Sequence, residues 1–357
     1  MISMNRPMQF YAFVAPGLES IAAEEIAEHG GTPADTKERG VVFFTWDGDP
    51  KTLLDLGTTE DVFAQVAHER VAPAREGLEE AGKMIAESPY FEAAVSAHRQ
   101  AQPKKVKRIT YRVVAQRRGG QQRYMRKEMR KELTRAIAWR FPRWKQVDED
   151  ALLEFWALEV RGYLLSGVRL SDRTMRHRSY KEAQIEASLR PTVARAMVRL
   201  AEPTNDDVFL DPMCGAGTIL IERGEYGRYV RLWGGDIDPK AIAATRTNIG
   251  PRYKPIEIRE WDAGNLPLKD GSIDRVVCNL PFGKKIGEPW EISSLYQRFT
   301  AEAERVLKAG GVGAWLTSER NILQAVLGSS SSLYVERLYP IEVLGQEAFL
   351  FKVKKIT

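Results

Sequence analysis

A multidomain α/β fold ending in a Rossmann-type, doubly wound parallel sheet is predicted by three observations. First, the apolar run Asp207-Val-Phe-Leu210 leads into the Gly-rich turn Asp211-Pro-Met-Cys-Gly-Ala-Gly-Thr218 and then into Ile219-Leu-Ile-Glu222, which opens a helix. Second, strand and helix patterns alternate regularly from residue 207 onward. Third, blocks of opposite charge precede that half, and 357 residues leave room for two or three domains with ample core.

In chain order, Gln9–Val14 reads as a strand rich in aromatic and β-branched residues. Leu18 to His29 reads as an amphipathic helix, with Leu18, Ile21 and Ile26 inward and Glu24, Glu25 and Glu28 outward. Gly30-Gly31 stops it. Gly40–Thr45 is a second strand and Pro50–Leu56 a short helix, which together suggest a small ferredoxin-like layer. Val62–Val66 starts the next unit. Residues 75–97 are helical in period, broken by Pro89. Val106 to Ala115 alternates as a strand with one wet face, and Arg117-Arg118-Gly119-Gly120 reads as a turn. A helix runs from Arg123 to about Arg140, with Met125, Met129, Leu133, Ala136 and Ile137 inward and Arg126, Lys127, Arg130, Lys131 and Arg135 outward. Leu152–Val160 and Tyr163–Leu170 form a hairpin at Arg161-Gly162. Ile185 to Leu200 is a helix, or a turn that restarts at Pro191.

Net charge is +5, but its distribution says more. Residues 1–60 hold ten acidic and four basic side chains, whereas residues 99–145 hold seventeen basic and two acidic ones. A solvated face normally mixes signs, so a block this basic points to a polyanion such as nucleic acid. Tyr111, Tyr124, Trp139 and Trp144 lie within it, available either to packing or to stacking on unpaired bases. Two cysteines, Cys214 and Cys278, form no CxxC pair and no disulfide framework, and they read as small core residues. Four scattered histidines give no metal spacing, so no metal is expected. Without an apolar leader or a membrane-length run, a cytoplasmic protein with no membrane partner is expected.

In the second half, Val208–Leu210, Tyr229–Gly234, Pro255–Arg259, Ser272–Cys278 and Gly311–Thr317 read as successive strands, closed by an antiparallel pair, Leu333–Leu338 with Ala348–Val353. Gly215 and Gly217 let the backbone turn tightly and approach a ligand, and the following helix N-terminus offers free N–H groups. A plain strand-to-helix turn is the alternative. A dinucleotide fingerprint would place a third Gly at position 220, which is Leu, and Asp211 would repel a pyrophosphate. Asp211 suits instead a ligand carrying an ammonium or sulfonium. The pattern resembles motif I of class I S-adenosylmethionine (SAM)-dependent methyltransferases, in which Asp-x-x-x-Gly-x-Gly holds the amino-acid end of the cofactor.

Asp236 follows Gly217 by nineteen residues, at the end of the second strand, where a carboxylate accepts bonds from ribose hydroxyls. Asp238-Pro239 is a helix cap. Asp262 either meets the adenine amino group, as in the family, or terminates a turn before Gly264. The resemblance thus assigns to the cofactor Asp211, Cys214, Gly215, Gly217, Thr218, Asp236, Ile237, Asp262, Ala263 and Asn279, with Ser188, Leu189 and Arg190 as further contacts.

Asn279-Leu280-Pro281-Phe282 resembles the Asn-Pro-Pro-Tyr-type motif of methyltransferases acting on planar exocyclic or amide nitrogens. Such a nitrogen is a poor nucleophile because its lone pair is delocalised. The Asn279 Oδ1 and the Leu280 carbonyl each accept one N–H bond, which orients the nitrogen and stabilises its developing positive charge. Pro281 stiffens the turn and Phe282 offers a face to an extruded base. Lys284 and Lys285 follow, within reach of phosphate.

Val14-Ala-Pro16-Gly17-Leu18-Glu19 with Glu24-Glu25-Ile26 resembles the ferredoxin-like segment that precedes THUMP domains, and the middle unit resembles a THUMP RNA-binding domain. The whole chain is similar to THUMP-containing class I tRNA guanine-N2 methyltransferases, most closely the type that modifies guanosine six. That resemblance implies a ferredoxin-like domain at 1–60, a THUMP domain at 61–170 recognising the acceptor stem and 3′ end of tRNA, a linker at 171–184, and a Rossmann-fold catalytic domain at 185–357. It implies RNA contacts from Arg117, Arg118, Arg126, Lys127, Arg130, Lys131, Arg135, Lys284 and Lys285, and a monomer. The catalytic motif also fits other RNA bases, ribosomal RNA or a protein glutamine, and an RNA-binding protein without catalysis is the remaining alternative.

Overall fold

The computed structural model describes residues 8–34, 38–104, 107–118, 123–160, 162–183, 185, 188–282 and 289–356. They fall into two units, residues 1–13 with 23–175 and residues 14–22 with 176–357.

The first unit contains β1 (Gln9–Phe13), most of α1 (Glu19–Glu28), β2 (Thr32–Pro33), β3 (Val41–Thr45), β4 (Asp61–Arg70), α2 (Glu76–Glu87), α3 (Phe91–Ala101), β5 (Thr110–Arg118), α4 (Arg126–Arg140), β6 (Lys145–Gln146), β7 (Leu153–Val160), β8 (Tyr163–Arg169) and the single turn α5 (Arg173–Arg176). Its strands join in one sheet, ordered β2-β3-β1-β4-β8-β7-β5-β6. The strands of residues 1–60 and 61–170 therefore share a ladder, through antiparallel β1–β4 and β4–β8 pairs. Aromatic rings on one face make its core: Tyr11 stacks on Phe63 at 4.7 Å, and Phe63 meets Trp156 at 5.5 Å.

Three sequence expectations are corrected in this unit. Glu25 is buried rather than outward, because its carboxylate accepts bonds from the Gly57 and Thr58 N–H groups and from the Thr58 hydroxyl. Arg117 and Arg118 continue β5 instead of turning, paired in parallel with Glu159 and Val160 of β7; Gly119 and Gly120 lie outside the described residues. Met125 is 65% exposed because α4 begins one residue later, and Met129, Leu133, Ala136 and Ile137 alone carry its inner face.

The second unit contains α6 (Pro191–Leu200), β9 (Val208–Asp211), α7 (Thr218–Tyr226), β10 (Arg231–Asp236), α8 (Pro239–Ile249), β11 (Ile256–Glu260), β12 (Ile273–Asn279), α9 (Pro289–Val306), β13 (Leu307–Thr317), α10 (Arg320–Gly328), β14 (Leu333–Val343) and β15 (Gln346–Lys355). Pro191 begins α6, so the restart reading of that segment holds. The sheet order is β11-β10-β9-β12-β13-β15-β14. The pairs from β11 to β13 are parallel, and β15 runs antiparallel between β13 and β14. Phe209, Leu210, Val276, Val277 and Cys278 are fully buried, as central parallel strands covered on both faces require.

The chain leaves β9 toward β10 and β11 and then returns to β12 on the other side of β9. The order therefore reverses between β9 and β12, and α/β sheets bind ligands at the carboxyl ends of strands flanking such a point. Asp211 and Asn279 are the last residues of those two strands.

Candidate functional site

The turn after β9 is built by glycine geometry and by side chains from α8. Gly215 and Gly217 have φ of +54° and +79°, which L side chains rarely adopt. Thr245 closes on the turn from α8: its hydroxyl donates to the Gly215 carbonyl at 2.6 Å, and a Cβ at Gly217 would sit 3.0 Å from its methyl. Asn248, one turn further along α8, donates to the Ala216 and Ala183 carbonyls at 2.9 Å and accepts from the Ala183 N–H at 2.8 Å. The Trp261 indole donates to the Pro212 carbonyl at 3.1 Å. Leu220 is tolerated where a dinucleotide fold carries glycine because the small residue sits on the strand instead: a Cβ at Gly234 of β10 would lie 2.3 Å from Leu220 Cδ1.

Asp211 is 1% exposed. Its Oδ1 accepts weakly from the Met213 N–H at 3.3 Å, and its Oδ2 has no hydrogen-bond partner among the described residues. Burial pushes its carboxyl well above the usual carboxylate range; the Met213 bond opposes this and Asp236 adds to it. Asn279 Oδ1, at the end of β12, is likewise buried and unpartnered. Extending the β9–β12 register places Asp211 beside Val277, so Asn279 lies two residues, or about 7 Å, beyond it along the strand. Two orphaned acceptors at adjacent strand ends are expensive to bury unless a ligand donor meets them.

The other predicted positions are distributed as follows. Asp236 accepts from the Gly215 N–H at 2.9 Å and the Asp238 N–H at 3.0 Å, one on each oxygen, so it braces the Gly turn with lone pairs to spare. Asp238 caps α8 through the Lys240 N–H at 2.9 Å. Ile237 is 70% exposed beside Asp236. Asp262 terminates a turn, accepting from the Gly264 N–H at 2.8 Å, and pairs with Arg298 at 2.6 Å. The Gly264 N–H, with Arg298 beside it, holds that carboxyl below its ordinary range against a smaller effect of burial. Ala263 and Thr218 are buried. Cys214 and Cys278 are buried free thiols pushed up by burial, which makes them core residues.

At the catalytic motif, Leu280 is a core side chain and Phe282 packs half-buried against the cluster that contains Leu189 and Cys214. Pro281 presents its carbonyl to the Tyr296 hydroxyl at 2.8 Å. Ser188, just ahead of α6, and Thr192, in its first turn, carry buried hydroxyls with no partner among the described residues. Ile185 Cδ1 would lie 3.4 Å from a Cβ at Gly215, so this segment runs alongside the turn.

In the first unit, Arg126, Lys127 and Arg130 of α4 line a groove of about 470 Å³ with Arg112 and Gln116 of β5 and Asp148. Lys131 and Arg135 are exposed on the same helix, Arg135 meeting Glu132 at 3.7 Å. Arg117 is committed inward, to Glu159 at 3.3 Å and the Tyr124 carbonyl at 2.8 Å. Arg118 lies over the Phe13 ring at 5.3 Å. Tyr111 and Tyr124 are buried and Trp144 stacks on Phe141 at 4.0 Å, whereas Trp139 is 74% exposed. Lys284 and Lys285 fall outside the described residues. Among the described residues no cluster of His, Cys, Asp or Glu is arranged to hold a metal, and no helix is long and apolar enough to cross a membrane.

Thr245, Asn248, Trp261, Tyr296 and Thr317 escape sequence reasoning. The available signal is two polar residues at i, i+3 on a helix face otherwise made of Ala241, Ile242, Ala244 and Ile249. Asn248→Ala is expected to lower stability by about 2 kcal/mol, since it strips partners from buried backbone groups; urea unfolding followed by far-UV circular dichroism measures it.

Residues 178–339 match the UPF0020 family, described as an RMKL-like methyltransferase domain. The chain is 29% identical over 244 residues to the tRNA (guanine(6)-N(2))-methyltransferase THUMP3 of Bos taurus, covering 63% of this chain and 47% of that protein. It is 37% identical over 149 residues to the U6 snRNA (guanine-N(2))-methyltransferase THUMPD2 of Bos taurus, covering 41% of this chain and 29% of that one. The chain thus spans about half or less of the length of these two relatives. The crystal structure of TrmN from Thermus thermophilus superposes with a TM-score of 0.80 over 98% of this chain and 100% of that one, at 22% identity, so the fold is shared across both units. The similarity to the UPF0020, RMKL-like methyltransferase domain thus falls on residues 178–339, within the second unit.

Proposed function

We propose that the chain is an S-adenosylmethionine-dependent methyltransferase that modifies the exocyclic N2 of a guanosine in tRNA, at position six of the acceptor stem. The observation that carries this reading is the pair of buried, unpartnered acceptors, Asp211 Oδ2 and Asn279 Oδ1, on the two strands that flank the switch point. One suits a cationic cofactor and the other a substrate N–H.

The residues fit the cofactor. When bound, it supplies an electrophilic methyl group on a sulfonium. Asp211 would take its ammonium, and the Ser188 and Thr192 hydroxyls with the α6 N-terminus would take its carboxylate. Asp236 would accept from the ribose hydroxyls, Ile237 would cover one face of the adenine, and Asp262 and Ala263 would read its edge. Asn279 Oδ1 and the Leu280 carbonyl would each accept one N–H of the guanine amino group, which orients the nitrogen and favours the charge that develops on it. Phe282 would stack on the base.

Guanine N2 is favoured over other amino groups because the two named relatives act on different RNAs yet share that atom. A THUMP-type module at 61–170, preceded by a ferredoxin-like segment, would bind the RNA end through Arg126, Lys127, Arg130, Lys131 and Arg135. A cytoplasmic monomer completes the reading. Neutralising Arg126, Arg130 and Lys131 together is expected to weaken tRNA binding and to lower the slope of log K against log salt by about two units. Filter binding across a salt series measures both. The proposed target atom is tested with a synthetic acceptor stem in which inosine, lacking only the 2-amino group, replaces guanosine six. Transfer to the guanosine form and none to the inosine form is expected; equal transfer to both would refute the assignment.

A further inference from the structure

We infer that Tyr296 and Thr317 are positioning residues, forming a hydrogen-bond chain that fixes the acceptor geometry of the Asn279–Phe282 turn; this rests on the function proposed above. Tyr296 of α9 is fully buried, and so is Thr317 at the end of β13. The Tyr296 hydroxyl lies 2.8 Å from the Pro281 carbonyl and 2.6 Å from Thr317 Oγ1, and the Glu319 N–H lies 2.8 Å from that same Oγ1.

Counting protons fixes the direction of every bond. A carbonyl only accepts, so the single Tyr296 proton goes to Pro281. The Tyr296 oxygen then accepts from the Thr317 hydroxyl, whose own oxygen accepts from Glu319 N–H. The chain runs Glu319 N–H to Thr317 to Tyr296 to the Pro281 carbonyl, with each donor polarising the next. On the other side of the turn, the Leu280 N–H donates to the Leu316 carbonyl of β13 at 2.9 Å. The Leu280–Pro281 peptide is therefore held at both ends, by its preceding N–H and its following carbonyl. That peptide carries the Leu280 carbonyl, the second acceptor the transfer requires. Pro281 has no N–H to give away, so no competing bond can turn the peptide over. The Tyr296 hydroxyl touches no reacting group and acts only through the backbone.

Tyr296→Phe removes one oxygen from a packed ring, and the ring still fills its place. Its kcat is expected to fall about 10- to 100-fold, the scale of a small misplacement of reacting groups, with cofactor and tRNA dissociation constants unchanged. Thr317→Val is expected to do the same, Thr317→Ser to restore activity, and the Tyr296→Phe/Thr317→Val double variant to lose no more than either alone, because both break one chain. Amide hydrogen exchange of a peptide covering residues 275–282 gives a readout independent of transfer, and faster exchange at Leu280 is expected in both single variants. Unchanged kcat and unchanged exchange in Tyr296→Phe would overturn the inference. So would a loss of kcat matched by equal losses in cofactor affinity and melting temperature, which marks a structural role. A wild-type protein that transfers nothing to RNA would defeat the proposed function, and the exchange result alone would then decide the chain.

Discussion

Asn279→Ala is expected to lower kcat for methyl transfer by about 10³-fold or more while tRNA affinity stays near wild type. Removing one preorganised group from a charge-stabilising site costs about 10²–10³-fold in kcat, and here the same atom also orients the nucleophile. Asn279 Oδ1 has no hydrogen-bond partner among the described residues, so truncation costs that oxygen no bond to them. The variant should fold and melt like the parent. Single-turnover transfer with labelled cofactor, beside equilibrium binding of each ligand, separates the chemical step from binding. Surviving activity would remove Asn279 from the mechanism.

The second large effect concerns the cofactor. Asp211→Ala is expected to weaken cofactor binding about 10²–10³-fold, since truncating one partner of a buried charge pair costs 2–5 kcal/mol or more. Titration calorimetry measures it. The pH dependence follows from the raised carboxyl, held up first by burial. Unfolded, the group titrates near 3.9. Between that pH and its raised folded value, the folded chain keeps a proton that the unfolded chain releases. Stability of the free protein therefore falls as pH rises through this window, and Asp211→Asn should abolish that slope. Across the same window an ammonium ligand must displace the proton, so cofactor affinity should rise with pH until the ligand amine itself titrates near 7.7–8.0. An affinity independent of pH would mean that Asp211 is already ionised in the free site.

The parts of the site legible in the sequence are those that local chemistry dictates. Gly215 and Gly217 announce positive φ by being glycine, Asp238-Pro239 announces a cap, and Asn279 announces an acceptor by standing at the end of an apolar strand. The alternation of strands and helices follows from the hydrophobic periodicity. What stays hidden acts across long sequence separations through the backbone. Thr245 and Asn248 grip carbonyls about thirty residues upstream, at Gly215 and Ala216, and Tyr296 grips Pro281 fifteen residues away. A Thr on a helix looks the same in sequence whether it faces solvent or a glycine turn. Glu25 misleads for a related reason: its charge suggests water, whereas the Gly57–Thr58 loop supplies its donors. Arg117 shows that a basic block is not uniformly a ligand face, because Glu159 of the neighbouring strand claims it. Leu220 and Gly234 exchange the small residue between helix and strand, which a motif confined to the turn does not reveal.

The most direct measurement is incubation of the protein with methyl-labelled S-adenosylmethionine and unmodified tRNA, followed by nucleoside digestion and mass spectrometry. N2-methylguanosine, mapped to position six by fragment analysis, is the predicted product. Label in N6-methyladenosine or N4-methylcytidine, or label confined to ribosomal RNA or protein, would contradict guanine N2 of tRNA as the target; tight tRNA binding with no transfer at all would contradict catalysis itself.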